Sequence, residues 1–278
     1  MTQPQTGQFI SKNGFTIHTA SWRTVEPPKG AIFLVHGYGE HHGRYAHVIE
    51  AFVKAGYAVY AIDHRGHGRS EGDRAYVVSI DELVADLRQY FEACKKELAG
   101  QKVFMYGHSM GSLVSLLFAI RYQDDLNGLI LSGLPLNANE SVSPMLITTA
   151  NLLDKIVPKM PLAETTPANE LAADQSVAAA FAADPLNWKG KMRVRTGVSI
   201  ANGVNSARAQ IGALRLPVLF LHGADDKICP PGGSQFALDN VSSPDKQRIV
   251  YPGLRHEIHN EKIWTTVMQD MFAWLNGH

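Results

Sequence analysis

A serine between two glycines is the residue whose surroundings point most directly to chemistry. Gly107-His108-Ser109-Met110-Gly111 fits the pattern G-x-S-x-G and lies between a strand-like run, VFMYG, and a helix-like run, SLVSLLFAIRY. A sharp strand-to-helix turn of this kind exposes the serine hydroxyl, and it needs the glycines because side chains there would clash with neighbouring backbone. We therefore predict that Ser109 is a nucleophile. The alternative is a serine that only caps a core helix.

A serine hydroxyl attacks efficiently only when a base removes its proton, and the chain offers an acid and a base in the order typical of this motif. Asp226 follows the apolar run PVLFLHG, and His256 follows RIVYPG. Both lie where predicted strands end, as Ser109 does, so the three side chains should meet at one edge of a sheet. Two alternatives stay open on the residues alone, since Asp225 could replace Asp226 and His259 could replace His256. We interpret His259 as an exposed residue of the C-terminal helix.

The negative charge that develops on a carbonyl oxygen during such an attack is stabilised by two backbone N–H groups. One is expected from Met110, and the other from the loop His36-Gly37-Tyr38, which follows the run AIFLVHG. A plain turn is the alternative for that loop. Glu40 and Arg44 lie close to it in the chain, and we consider them, together with His108, as residues that line the substrate pocket. Solvated surface charges are the alternative for Glu40 and Arg44.

Two further motifs are assigned no cofactor. His64 and His67 lie in the glycine-rich segment 63–68, which has no helix to present them to a metal ion and no second cluster nearby, so we interpret the segment as a structural turn. Gly37-Tyr38-Gly39 lacks the third glycine and the acidic residue of a dinucleotide-binding motif. The sequence therefore predicts neither a metal site nor an organic cofactor.

Short apolar runs that alternate with helical patterns predict the elements that position these residues. A hairpin around Asn13-Gly14 comes first. It is followed by apolar strands at 31–37, 57–63, 102–107, 128–133, 217–223 and 248–253. Continuously apolar strands separated by helices indicate a mostly parallel sheet covered on both faces, in a doubly wound α/β fold.

Residues 137–212 break this alternation and hold no convincing strand. Three helical segments are predicted there, at 142–157, 174–183 and 193–212. We interpret the whole segment as a helical cap inserted between two parts of the core, 1–136 and 213–278; an elongated crossover helix is the alternative. Apolar residues of the first helical segment, Met145 and Leu152 among them, are expected to line the substrate entrance and contact lipid, although such a stripe is more often plain core.

The composition limits the classes of function. The chain has 278 residues, and Lys+Arg and Asp+Glu both number 26, so the net charge is zero and nothing favours nucleic-acid binding. Two cysteines fit a reducing compartment, and we expect a cytoplasmic protein. The polar N-terminus does not resemble a signal peptide, and no run of about 18 apolar residues predicts a membrane span. The sequence does not indicate an oligomeric state.

Taken together, the motifs resemble the monoacylglycerol lipase branch of the α/β-hydrolases, which also includes lysophospholipase-like enzymes and related esterases. The similar segments are HGYGEHHGRY at 36–45, DHRGHGRSEG at 63–72, GHSMGS at 107–112, HGADDKICP at 222–230 and YPGLRHEIHNE at 251–261. The chain departs from that branch at Tyr38, where a small residue is common, and at Ser112, where glycine is common.

The resemblance implies roles for individual residues. It implies a catalytic triad of Ser109, Asp226 and His256, and it favours Asp226 over its neighbour because the acid of the family stands just before a basic residue. It also implies that Tyr38 and Met110 supply the two backbone N–H groups that bind the oxyanion.

The activity that the resemblance implies is the hydrolysis of single-chain lipid esters, most directly of monoacylglycerols to glycerol and fatty acid, through an acyl-enzyme and without a cofactor. A lipid-facing cap would bring the protein into transient contact with membrane surfaces. A lysophospholipase, a general carboxylesterase or a thioesterase with the same triad is the alternative within this class. A non-catalytic binding protein on the same scaffold is the alternative outside it, although its mark would be the loss of a triad residue, and all three are present.

Overall fold

A large, mostly parallel β-sheet forms the centre of the protein. A computed structural model describes residues 3–24, 27–137, 144–163 and 168–278. The strands in these ranges are β1 (Gln5–Ile10), β2 (Thr16–Trp22), β3 (Gly30–Val35), β4 (Tyr57–Ile62), β5 (Val103–His108), β6 (Gly128–Ser132), β7 (Pro161–Ala163), β8 (Met192–Arg193), β9 (Val218–Gly223) and β10 (Lys246–Tyr251). The large sheet has eight of them, in the order β1-β2-β4-β3-β5-β6-β9-β10. β2 is antiparallel to both β1 and β4, and all other neighbours are parallel.

Helices cover both faces of this sheet. The helices of the described residues are α1 (Ala46–Lys54), α2 (Ile80–Cys94), α3 (Met110–Tyr122), α4 (Pro144–Ile156), α5 (Gln175–Ala183), α6 (Val194–Gln210), α7 (Gly232–Asn240) and α8 (Trp264–Asn276), of which α4 and α5 do not pack on the sheet. Along β3, Phe33 packs with side chains of α2 and α3, whereas Ile32 and Leu34 pack with side chains of α1 and α8. The central strands are therefore buried on both faces, which explains their continuous apolar runs. The predicted doubly wound α/β fold and its eight strands are confirmed.

The segment between β6 and β9 contains α4, α5 and α6, close to the three helical segments predicted there. It also contains the short antiparallel pair β7 and β8, so the prediction of no strand in this segment is wrong. These strands are two and three residues long, too short to show an alternating pattern. The first half of α6 packs on α4 through Val194 and Val198, and Gly203 in its second half packs against Ile80 of α2. The division into core and cap at 137 and 212 stays a prediction, and Val142 lies outside the described residues.

The parallel strands all end at one edge of the sheet, and the loops that leave this edge carry the predicted functional residues. Within the described ranges, no helix combines the length and the apolar character that a membrane span requires.

Candidate active site

Ser109 occupies a strained backbone turn between β5 and α3. Its φ of 54° and ψ of −124° lie where side chains are rarely tolerated. A Cβ at Gly107 would lie 2.5 Å from the carbonyl oxygen of Gly111, and a Cβ at Gly111 would lie 2.1 Å from the carbonyl oxygen of Val35. Both positions therefore require glycine, as the G-x-S-x-G prediction assumed. The Ser112 hydroxyl donates a 2.6 Å hydrogen bond to the carbonyl oxygen of Ser109, so this departure from the family pattern braces the turn.

Asp226 and His256 form a buried pair in the loops that follow β9 and β10. The distance from His256 Nδ1 to Asp226 Oδ2 is 2.7 Å. The other carboxylate oxygen, Oδ1, accepts hydrogen bonds from the backbone N–H groups of Ile228 and Cys229 at 2.9 and 2.8 Å. Asp225 is exposed to solvent. The hydrogen bond that orients the imidazole is therefore made by Asp226, not by its neighbour.

The charges of this pair fix the tautomer of the imidazole. Burial raises the pKa of Asp226, but the positive charge of a protonated His256 and several hydrogen bonds outweigh burial and hold that pKa well below its ordinary value. Burial lowers the pKa of His256, but the charge and hydrogen bond of Asp226 outweigh it, so this pKa lies above its ordinary value. Because an ionised carboxylate can only accept, Nδ1 must donate, and Nε2 is left as the basic nitrogen.

His259 is fully buried, so its interpretation as an exposed residue of the C-terminal helix is wrong. It lies in a short 3-10 helix, Ile258–Asn260, before α8 begins at Trp264. Its ring stacks on Tyr45 with centroids 4.7 Å apart, and it meets the ring of His108 edge-on at the same distance. Burial lowers the pKa of His259 to about 3, so its imidazole is neutral near neutral pH.

The loop after β3 runs close to the nucleophile. A Cβ at Gly37 would lie 3.2 Å from the Cβ of Ser109. The Glu40 carboxylate holds this loop, since Oε1 accepts a 2.6 Å hydrogen bond from the Gly37 N–H and another from a buried tyrosine hydroxyl. Tyr38 and Met110 line the same cavity as Ser109. Their roles as donors to an oxyanion stay a prediction.

A cavity of about 270 Å³ connects these residues. Ser109 and His256 lie on its wall. One group of lining residues is polar and comprises Glu40, Arg44, His108 and Glu257. An apolar group comprises Met110, Pro135, Leu171, Phe181, Trp188, Met192, Ile200 and Ile228. Of the predicted pocket residues, Met145 and Leu152 lie outside the cavity, on α4, where they are 79% and 60% exposed.

A buried ion cluster forms part of the polar wall. Arg44 Nη1 lies 2.6 Å from Glu40 Oε2 and 2.6 Å from Glu257 Oε1, and Nη2 lies 2.7 Å from Glu257 Oε2. Because these side chains are no more than 9% exposed, the interpretation as solvated surface charges is wrong. Burial raises the pKa of Glu257, but the charge and hydrogen bonds of Arg44 outweigh it and lower this pKa to about 2. Glu257 was not predicted as a functional residue, and its only sign in the sequence is its position next to the predicted base, His256.

The end of α5 and the residues that follow it contact the loop after β3. His41 Nε2 lies 2.8 Å from Asp184 Oδ2, and the Trp188 N–H donates a 2.8 Å hydrogen bond to the Gly39 carbonyl oxygen. The Arg44 guanidinium lies 4.9 Å from the ring centroid of Phe181. We call residues 181–188 the cap anchor. It joins the predicted cap to the predicted oxyanion loop.

The histidine-rich turn after β4 packs under that loop. The rings of His64 and His67 lie 4.4 and 5.6 Å from the ring of His36, between centroids. The His64 N–H donates a 2.9 Å hydrogen bond to His36 Nε2. Burial lowers the pKa of His64 to about 3 and that of His67 to about 4, so both are neutral at physiological pH.

Three features define this protein as a member of the α/β-hydrolase class. They are the mostly parallel eight-stranded sheet, the strained turn at Ser109 after β5, and the acid–base pair in the loops after β9 and β10. A family model described as "Serine aminopeptidase, S33" matches residues 26–263, and the chain belongs to this family. The protein is a serine hydrolase.

Relatives that match nearly the full chain refine this assignment. A monoacylglycerol lipase of Mycolicibacterium smegmatis is 36% identical over 97% of this chain and 96% of its own. The crystal structure of a monoacylglycerol lipase from Paleococcus ferrophilus superposes with a TM-score of 0.84 at 29% identity, over 93% of this chain and 98% of that one. A carboxyl esterase from Bacillus coagulans, solved in complex with glycerol, gives a TM-score of 0.87 at 25% identity over 100% and 99% of the two chains. The resemblance to the monoacylglycerol lipase branch is confirmed.

Proposed function

We propose that this protein hydrolyses monoacylglycerols to glycerol and a fatty acid through an acyl-enzyme on Ser109. The observation that carries the proposal is the hydrogen-bonded Asp226–His256 pair, whose histidine lines the same cavity as Ser109. The relatives named monoacylglycerol lipase support the choice of substrate.

The proposed reaction follows from the positions of these groups. His256 Nε2 takes the hydroxyl proton of Ser109 as its oxygen attacks the ester carbonyl, and the backbone N–H groups of Tyr38 and Met110 bind the oxyanion. His256 then gives the proton to the departing glycerol oxygen, which leaves the acyl group on the serine. Water then attacks the acyl group on Ser109, with His256 again acting as the base. The bond to the serine oxygen breaks, Ser109 regains its proton and the fatty acid is released. Asp226 keeps the imidazole in the required tautomer and stabilises its charged form.

The lining of the cavity supports a neutral polar head group. Glu40 and Glu257 together carry two negative charges, and Arg44 carries one positive charge, so this buried cluster has a net charge of about −1. Glycerol hydroxyls can donate to carboxylate oxygens, whereas the phosphate of a lysophospholipid would meet a like charge at low local dielectric. This arrangement favours monoacylglycerols over lysophospholipids. The apolar wall supports a fatty acyl chain, and a cavity near the small end of ligand pockets suits one chain better than two.

The exposed face of α4 supports contact with lipid aggregates. Met145, Leu152 and Ile156 are 79%, 60% and 69% exposed, and their spacing places them along one side of the helix. Exposed apolar stripes of this kind mark interaction surfaces on soluble proteins. We propose that the segment 137–212 acts as a cap whose α4 face touches membranes transiently, and that the protein is cytoplasmic, in keeping with its two free, buried cysteines.

The triad is tested with a substrate panel and a covalent probe. Ser109→Ala should remove hydrolysis of monoacylglycerols and p-nitrophenyl esters as well as labelling by a fluorophosphonate, while Ser176→Ala, at an exposed serine, should change neither. Substantial hydrolysis by Ser109→Ala would contradict the assignment. A higher kcat/KM for lysophospholipids or short esters than for monoacylglycerols would leave the triad in place and reassign the substrate.

The lipid-contact face is tested on substrates in two physical states. Replacing Leu152 and Ile156 by Ser should lower the hydrolysis of long-chain monoacylglycerols in vesicles by several-fold and leave hydrolysis of a soluble short-chain ester unchanged. Ile10→Ser, at a 58% exposed residue of the edge strand β1, is the matched control. Equal losses on both substrates would show that the face does not contact lipid.

A further inference from the structure

Two histidines and an aspartate from three different elements converge outside the catalytic cavity. They are His18 of β2, His42 in the loop after β3, and Asp63 directly after β4. One side-chain ligand atom from each residue lies within 4.8 Å of the other two, and the distance from His42 Nδ1 to Asp63 Oδ1 is 2.7 Å. We propose that these three side chains form a binding site for a divalent transition-metal ion of the Zn²⁺ class.

The backbone around the cluster is held in place by its own hydrogen bonds. The Asp63 N–H donates to the carbonyl oxygen of His18 at 2.9 Å, and the Ser70 hydroxyl donates to the carbonyl oxygen of Asp63 at 2.6 Å. The Asp63 carboxylate is oriented by the backbone N–H groups of His42, at 3.1 Å to Oδ1, and Arg69, at 2.9 Å to Oδ2. Metal ligands are commonly oriented by such outer hydrogen bonds. The three side chains therefore need little rearrangement to bind an ion.

The imidazoles are also positioned by ring contacts. The rings of His18 and His42 lie nearly parallel, with centroids 5.6 Å apart, and Trp22 meets His42 edge-on at 5.8 Å. Both histidines keep some exposure, 12% for the side chain of His42, so an ion can enter from solvent.

The donor set selects the class of ion. Two imidazole nitrogens and one carboxylate oxygen suit Zn²⁺, which takes three protein ligands and a water in its open sites, and they suit Ca²⁺ and Mg²⁺ poorly because those ions prefer oxygen ligands. Binding through His42 Nδ1 replaces its hydrogen bond to Asp63 with two bonds to the ion, and the ring proton moves to Nε2. The bound ion would link β2 and β4 to the loop that carries Tyr38, one of the two predicted oxyanion donors.

The chain contains a matched control for this chemistry. His278 Nε2 lies 2.7 Å from Asp245 Oδ2, the same separation as in the His42–Asp63 pair. Among the described residues, the only cluster of three metal-binding side chains is the one with His18 and His42. Zinc binding by the His278–Asp245 pair would therefore be lost in His278→Gln, whereas binding at the proposed site would not.

The experiment titrates the purified, chelator-treated full chain with Zn²⁺ by calorimetry and records the Co²⁺ absorption spectrum of the same samples. One ion per chain is expected, with a Kd that rises at least tenfold in His18→Gln and in His42→Gln and stays unchanged in His278→Gln. Thermal unfolding should shift upward with Zn²⁺ in the wild type and in His278→Gln only.

Two results would overturn the proposal. One is the absence of heat and of a thermal shift up to ~1 mM Zn²⁺, where binding would be no stronger than about 4 kcal/mol. The other is a Kd that does not change in His18→Gln, because the ion would then be bound elsewhere. The readouts are binding and stability, so the outcome is independent of the proposed ester hydrolysis.

Discussion

The buried ion cluster makes a quantitative prediction for Arg44→Met. The pKa of the Glu257 carboxyl falls from 4.5 to about 2, which corresponds to about 3 kcal/mol of stabilisation at neutral pH. Methionine keeps most of the apolar stem of arginine but leaves two carboxylates buried without their cation. Removing one partner of a buried pair costs roughly 3–5 kcal/mol, so both lines of reasoning predict a large loss. For a chain of this size the loss should lower Tm by on the order of 10 °C.

The pH dependence of this loss has a defined sign. In the wild type the pKa of Glu257 is depressed, so its contribution is present above pH 4.5 and disappears only as the pH falls through about 2. In Arg44→Met the hydrogen bond from Asn260 remains, but burial should outweigh it and raise the pKa of the Glu257 carboxyl above its unfolded value. The variant then loses stability as the pH rises, and its deficit relative to the wild type should be larger at pH 8 than at pH 5.

The assay is thermal unfolding followed by circular dichroism at pH 5 and pH 8. Arg23→Met is the control, because the Arg23–Glu97 pair is about half exposed and such pairs contribute roughly 0–1 kcal/mol. A loss of stability in Arg44→Met no larger than that in Arg23→Met, or a deficit that does not shrink at the lower pH, would refute a stabilising role for the buried ion cluster.

Three further predictions concern the active site. Gly111→Ala should prevent normal folding or lower Tm strongly, because its Cβ would lie 2.1 Å from a backbone oxygen, whereas Gly212→Ala, whose nearest neighbour is 3.8 Å away, should leave the yield and Tm unchanged. The fall of kcat/KM at acid pH should have its midpoint above pH 6.5, because His256 must be neutral to act as the base and its pKa is raised. Asp226→Asn should lower both the activity and the pH of this midpoint. An unmoved midpoint would assign the fall to another group. Burial raises the pKa of the Cys229 thiol, so inactivation by N-ethylmaleimide should be slow at pH 7, faster at pH 9 and absent in Cys229→Ala; equal rates at both pH values would contradict this.

Features that depend on residues close together in the sequence were predictable. The five central strands are buried on both faces, so their apolar runs were long enough to find. The strand-to-helix turn at Ser109 was predictable because Gly107 and Gly111 are required there. A side chain at either position would meet backbone atoms a few residues away or in the neighbouring strand. The contact between Asp226 and His256 was predictable because each residue follows a strand of the sheet within a few positions. These predictions depend on short stretches of chain whose geometry is nearly fixed by residue type.

Features that depend on long-range contacts were missed or misread. His259 has a helix-like surrounding sequence, and its burial is set by Tyr45 and His108, which are distant in the chain. Glu257 is buried because Arg44, 213 residues away, neutralises it. The cluster of His18, His42 and Asp63 spans three elements, and no local spacing marks it. The spacing of the apolar residues around Met145 and Leu152 correctly predicted a helix. The spacing alone does not tell which face of that helix packs against the rest of the protein.

Two parts of the predicted cap, the cap anchor and α4, are attached to different parts of the protein. The cap anchor is bonded to the predicted oxyanion loop through His41 and Gly39, whereas α4 packs on the first half of α6 through Ala150. None of the described residues that line the cavity belongs to α4, so a displacement of α4 should leave the groups that perform the chemistry in place. Because of this separation, α4 could be exchanged for the corresponding helix of another esterase. The chimera should acquire the lipid preference of that esterase and keep the catalytic groups of this protein unchanged.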